Sequence, residues 1–100
     1  MAGGTGKAGM TTKAQHRHLN RVAALGCIAC KLLCLGESPS QVHHIREGRI
    51  ARNHWLTLPL CPQHHTGASM SVHMDKDALM MALGVASEFD LLAEVIEALV

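Results

Sequence analysis

Two short cysteine motifs constrain this chain more than anything else in it. Cys27-Ile28-Ala29-Cys30 is followed, 31 residues after Cys30, by Cys61-Pro62-Gln63-His64. Two residues between donors is the spacing at which one tight turn aims both side chains at one ion, and two such knuckles complete a tetrahedral Cys3His zinc site. Cys27, Cys30, Cys61 and His64 are the expected ligands. A structural zinc contributes on the order of 10–16 kcal/mol on binding. That matters in 100 residues, because a domain this small buries only about 60–70% of the surface its unfolded chain exposes. Read blandly, Cys27 and Cys30 are small buried hydrophobes, but this leaves the matching second knuckle unexplained. Cys34 is expected as a buried thiol beside the site, or as a replacement ligand if residues 31–34 form a helical turn.

Around these motifs the pattern is that of a small α+β domain. Residues 1–12 read as a flexible, Gly-rich leader and residues 13–100 as one domain. Thr12 and Gln15 make a capping box for a helix over 13–25, which Gly26 stops. A turn segment with Gly36, Ser38, Pro39 and Ser40 follows the first knuckle. Residues 41–45 read as a strand, 46–54 as a polar loop, and 55–60 as a second strand with Leu56, Leu58 and Leu60 on one side and Pro59 marking an edge. Two helices close the chain, 78–83 ended by Gly84 and 88–99 started by Ser87 and Asp90. The last carries an apolar stripe of Leu91, Leu92, Val95, Ile96 and Leu99, suited to a core or a homodimer face.

Composition narrows the function classes. Trp55 and Phe89 are the only aromatics besides histidine, too few for a base-stacking platform. Acids interrupt the apolar stretch 78–100, which excludes a membrane span. Residues 1–14 hold no apolar core of a secretory signal, so a cytosolic location is expected, where clustered cysteines are metal ligands or catalytic groups. The net charge of +1 conceals an imbalance: up to Trp55 eight lysines and arginines stand against two acids, and beyond it one lysine against six. A basic half suits a phosphate-bearing partner.

Six of the eight histidines, His43, His44, His54, His64, His65 and His73, fall within 31 residues. His43 and His44 are neighbours in a strand, where adjacent side chains point to opposite faces, so they suit two roles across a reaction centre. A neutral imidazole takes a proton from water at neutral pH, and a cation held by other histidines stabilises phosphate charge. Arg46, Arg49 and Arg52, in the loop between the strands, are placed to grip DNA phosphates. Together these groups suit phosphodiester hydrolysis.

The order strand, His43-His44, loop, strand, Cys61-x2-His64-His65 resembles the zinc-stapled ββα-metal core of HNH endonucleases. It resembles more closely the recombination-enhancement (Ref) group of RecA-dependent phage nucleases. The residues that carry this are Leu25-Gly26-Cys27-Ile28-Ala29-Cys30, Val42-His43-His44-Ile45-Arg46-Glu47-Gly48, the run from His54 to Gly67, and Val72-His73. The resemblance implies DNA as substrate and a RecA filament as partner. It also implies His44 as the general base and His43 and His65 as ligands of a catalytic Mg2+ or Mn2+. His54 falls near a middle position, usually Asn, that orients the base, which is a departure. His73 completes the metal site only if Gly67 breaks the helix and the chain folds back, since a continuous helix would carry it about 12 Å further along the axis. Two other readings compete: a non-catalytic zinc-knuckle module that binds DNA or protein, and a hydrolase with a catalytic zinc among the histidines.

Overall fold

The computed structural model describes residues 10–100, so most of the leader expected over 1–12 lies outside the described residues. Among the described residues five helices and two strands follow in the order α1 (Lys13–Ala24), α2 (Ile28–Leu32), β1 (Gln41–His44), β2 (Thr57–Leu60), α3 (Pro62–Thr66), α4 (Lys76–Leu83) and α5 (Glu88–Leu99). This is the small α+β fold expected, with helices on both sides of one hairpin.

Local chemistry explains most boundaries. Thr12 and Gln15 form the capping box of α1, and Ser87 and Asp90 that of α5. Gly26 follows α1 with φ of 80°. A side chain there would be strained and would press on the Ser38 carbonyl, which accepts the Cys27 N–H at 3.0 Å. The turn into the first knuckle is therefore tied down on both sides. The knuckle itself is a short helix, with Cys27 as N-cap accepting the Cys30 N–H. Helix α4 starts two residues before the predicted 78, because Asp75 caps it through the Ala78 N–H.

The strands are antiparallel, pairing His43 with Leu58 and His44 with Thr57. Both are shorter than predicted. On β2, Asn53 Oδ1 accepts the Trp55 N–H at 2.8 Å and holds residues 53–55 in a turn. The expected one-sided burial of β2 is also incorrect: Thr57, Leu58, Pro59 and Leu60 are all buried. Helices α1, α2, α3 and α5 all contact this strand and leave it no solvated face.

The core gathers Val22, Ile28, Ile45, Leu58, Leu60, Leu79, Leu91 and Val95 around the cysteines. Of the α5 stripe, Leu91, Leu92 and Val95 are taken up by this core, while Ile96 is 50% exposed. Among the described residues no helix is long and apolar enough to cross a membrane.

Candidate functional site

Two groups of potential metal ligands emerge among the described residues, and they meet at α3, which carries His64 of one and His65 of the other. Cys27, Cys30, Cys61 and His64, all buried, form the first. A tetrahedral zinc with bonds near 2.3 Å to sulfur separates its sulfur donors by about 3.8 Å. The Cys30 and Cys61 sulfurs lie 3.7 Å apart, and His64 Nδ1 is 3.2 to 3.7 Å from all three thiols. The donor set and its spacing fit zinc. Burial pushes the Cys27 thiol up to about 11. At Cys61 burial pushes the same way, but the His64 backbone N–H and the neighbouring thiols outweigh it and bring the thiol down. Cys34 is not a buried thiol beside this site. Helix α2 ends before it, and its φ of 59° turns the exposed side chain away.

His43, His65 and His73 form the second group, each with a ring nitrogen within 4.8 Å of the others. The route by which His73 arrives is decided at Gly67. Helix α3 stops there, and a Cβ at this position would lie 2.3 Å from the Gln63 carbonyl oxygen. The chain then returns alongside α3. Val72 donates to the His64 carbonyl and His73 to that of His65, at 2.8 and 3.2 Å. Buried Ser71 pins the return through a 2.7 Å hydrogen bond to the Gly67 carbonyl. The condition set for His73 in the sequence is met.

Each imidazole in this group is oriented differently. His65 Nδ1 donates to Gln41 Oε1 at 2.8 Å, which leaves Nε2 free. His43 Nε2 lies 2.5 Å from Glu88 Oε1. Burial lowers the pKa of His65, helped by His43 and His73. Burial also lowers His73, helped by His43 and Arg46 against Glu88. Neutral imidazoles with available lone pairs are what a metal requires.

An open cavity of about 200 Å³ is lined by Val42, His43, His44, Arg46, Arg52, His65 and His73. His43 and His44 thus border one space, although successive strand positions send their rings different ways. His44 Nε2 is 2.9 Å from His54 Nδ1, and His54 Nε2 is 3.2 Å from Thr11 Oγ1. Burial, then the charges of Arg52, His54 and His43, hold His44 down at about 4, so it is neutral at physiological pH. Arg46 and Arg52 also line a smaller adjoining cavity with His44, Ile45 and Ile50, whereas Arg49 lines neither.

The residue that sequence reasoning missed is Glu88. It reads as an ordinary acid in the first turn of a helix, yet it is fully buried and contacts His43, Lys76 and the Arg46 N–H. Burial alone would raise its carboxyl, but the hydrogen bonds from His43 and Lys76 outweigh that and hold it below the usual carboxylate range. Only its place at the first position of α5, where an apolar stripe turns inward, hinted at burial.

Compared with known families, residues 11–98 match the model described as recombination enhancement, RecA-dependent nuclease. The chain belongs to that family. Searches of curated proteins and of solved structures returned no match. The family match spans both ligand groups and all the residues that line the cavity.

Proposed function

We propose that the chain is a metal-dependent HNH-type DNA endonuclease acting in recombination on RecA-bound DNA. The observation that carries this reading is the convergence of His43, His44, His65, His73, Arg46 and Arg52 on one cavity, next to a separate buried Cys3His group. A pure zinc-binding module has no use for the second group.

In this reading His43, His65 and His73 hold a divalent cation. Three imidazoles with no carboxylate among them suit Mn2+ better than Mg2+. When bound, such an ion supplies charge stabilisation at the phosphate and the leaving oxygen. His44 acts as general base. If His44 donates its Nε2–H to His54 Nδ1, and His54 donates onward to Thr11 Oγ1, the Nδ1 lone pair of His44 is left to take a proton from water. The water oxygen then bonds to phosphorus, the bond from phosphorus to the leaving oxygen breaks, and His44 holds the proton. His54 falls near the middle position, usually Asn in the wider HNH group, and in this reading it orients the base through its ring. Arg46 and Arg52 pair with phosphates flanking the scissile one.

The test is nicking of DNA by the purified zinc-loaded protein with RecA filaments and Mn2+ or Mg2+, comparing the parent with His44→Ala. Cleavage that disappears in the variant, at unchanged zinc content and melting temperature, supports the reading. Undiminished cleavage by His44→Ala overturns the base assignment. DNA binding without cleavage under any metal would leave the non-catalytic module as the better account.

A further inference from the structure

Glu88 is an expensive residue to have where it is. An ionised carboxylate with no solvent exposure requires charged or hydrogen-bonded partners on every side, and this one has them. Lys76 Nζ donates to its Oε2 at 2.9 Å, the Arg46 N–H approaches the same oxygen at 3.3 Å, and His43 Nε2 meets Oε1. Glu47 accepts the Glu88 backbone N–H at 2.9 Å and sits 3.5 Å from the same lysine. The carboxylate is thus clamped in position and direction. It does not belong to the set of donors lying within 4.8 Å of one another, which consists of His43, His65 and His73. It meets His43 at Nε2.

A carboxylate accepts hydrogen bonds only, and a neutral imidazole carries its single N–H on one nitrogen. Contact between Oε1 and Nε2 therefore places an N–H on Nε2, and in the neutral ring that a metal requires the lone pair is then on Nδ1. The His43 ring stands edge-on to His65 and His73, with centroids 5.3 and 5.2 Å away. A carboxylate behind a ligating histidine fixes its tautomer and raises its basicity, and losing such a partner costs about 10- to 100-fold in metal affinity.

We propose that Glu88 is a positioning residue of the nuclease centre, selecting Nδ1 of His43 as the atom presented to the cation. The assignment rests on the metal reading above. It makes α5, which no sequence motif connects to the reaction, part of the apparatus that sets affinity for the ion.

The experiment has two arms, both on the full zinc-loaded chain. In the first, long-range 15N–1H NMR of the unsubstituted protein reads the His43 tautomer. The Nε2–H form is expected, and the Nδ1–H form overturns the proposal. In the second, Mn2+ affinity is titrated by electron paramagnetic resonance in the parent and in Glu88→Leu/Lys76→Met, which removes both buried-pair charges together and leaves only the part-exposed Glu47 without its lysine. A 10- to 100-fold weaker affinity at equal zinc content is expected, and affinity within twofold of the parent overturns the proposal. If the double variant fails to fold, the NMR arm decides. Should the parent itself bind no Mn2+, the metal reading falls and this assignment falls with it, a result distinct from a parent that binds and a variant that binds equally well.

Discussion

The sulfur-rich cluster and the histidine cluster meet at helix α3 and differ in almost every physical respect. His64 and His65 are consecutive on α3, yet the first is buried among three thiols and the second borders an open cavity. The first group has four mutually close donors, complete and closed. The second has three, with a carboxylate, an amide and two arginines around it. Closure of a site to solvent suits a staple, and open positions suit chemistry. The contrast teaches that one five-residue helix is enough to send one imidazole into the buried thiol cluster and its neighbour to the open cavity.

That comparison can be broken in order of severity. Cys27→Ser or Cys61→Ser is expected to abolish zinc binding and with it the cooperative melting transition, since on the order of 10 kcal/mol or more of stabilisation is lost. Zinc analysis and circular dichroism check this, and Cys34→Ser, exposed and outside the cluster, should change neither. At the other cluster His44→Ala should leave zinc and melting temperature alone while lowering the nicking rate by about 10²–10⁴-fold. His65→Ala should remove Mn2+ binding and cleavage but retain zinc, which sharpens the division between two adjacent histidines. If zinc and Mn2+ vanish together, the two clusters are not independent.

Smaller effects are expected from the basic groups. Arg52→Gln should weaken DNA binding across sequences and reduce the slope of log K against log salt by about one, whereas Arg49→Gln, which lines neither cavity, should change it less. The smallest effect concerns a histidine in neither cluster. Burial lowers His18, against a hydrogen bond with the Trp55 backbone, and Arg21 lowers it further. The unfolded chain therefore takes up its proton first, near its ordinary pKa of about 6.5. Stability should decline as pH falls below that value and level off beneath the folded pKa. Thermal melts between pH 7.5 and 5 should show this slope, and His18→Gln should flatten it slightly.

Much of this was legible in the sequence because the signals were local. Capping boxes at Thr12 and Ser87, the spacing of the knuckles, and the strand–loop–strand pattern each depend on residues a few positions apart. What escaped was non-local. The full burial of β2 depends on four helices meeting one strand, and no periodicity within residues 57–60 announces that. Glu88 reads as a solvated helix-start acid because its partners His43 and Lys76 lie 45 and 12 residues away. Cys34 was misread because the left-handed turn that carries it outward is unusual for a residue with a side chain. The arrival of His73 could be framed only as a condition on Gly67, since a loop's return path is not written in its composition.

Position 67 holds a consequence of its own. One methyl group there would collide with backbone that cannot yield without unwinding the short helix ahead of it, so the third imidazole is admitted by the absence of a single carbon. Because that helix also carries His64 and is capped by Cys61, alanine at position 67 would disturb the buried thiol cluster together with the arrival of His73.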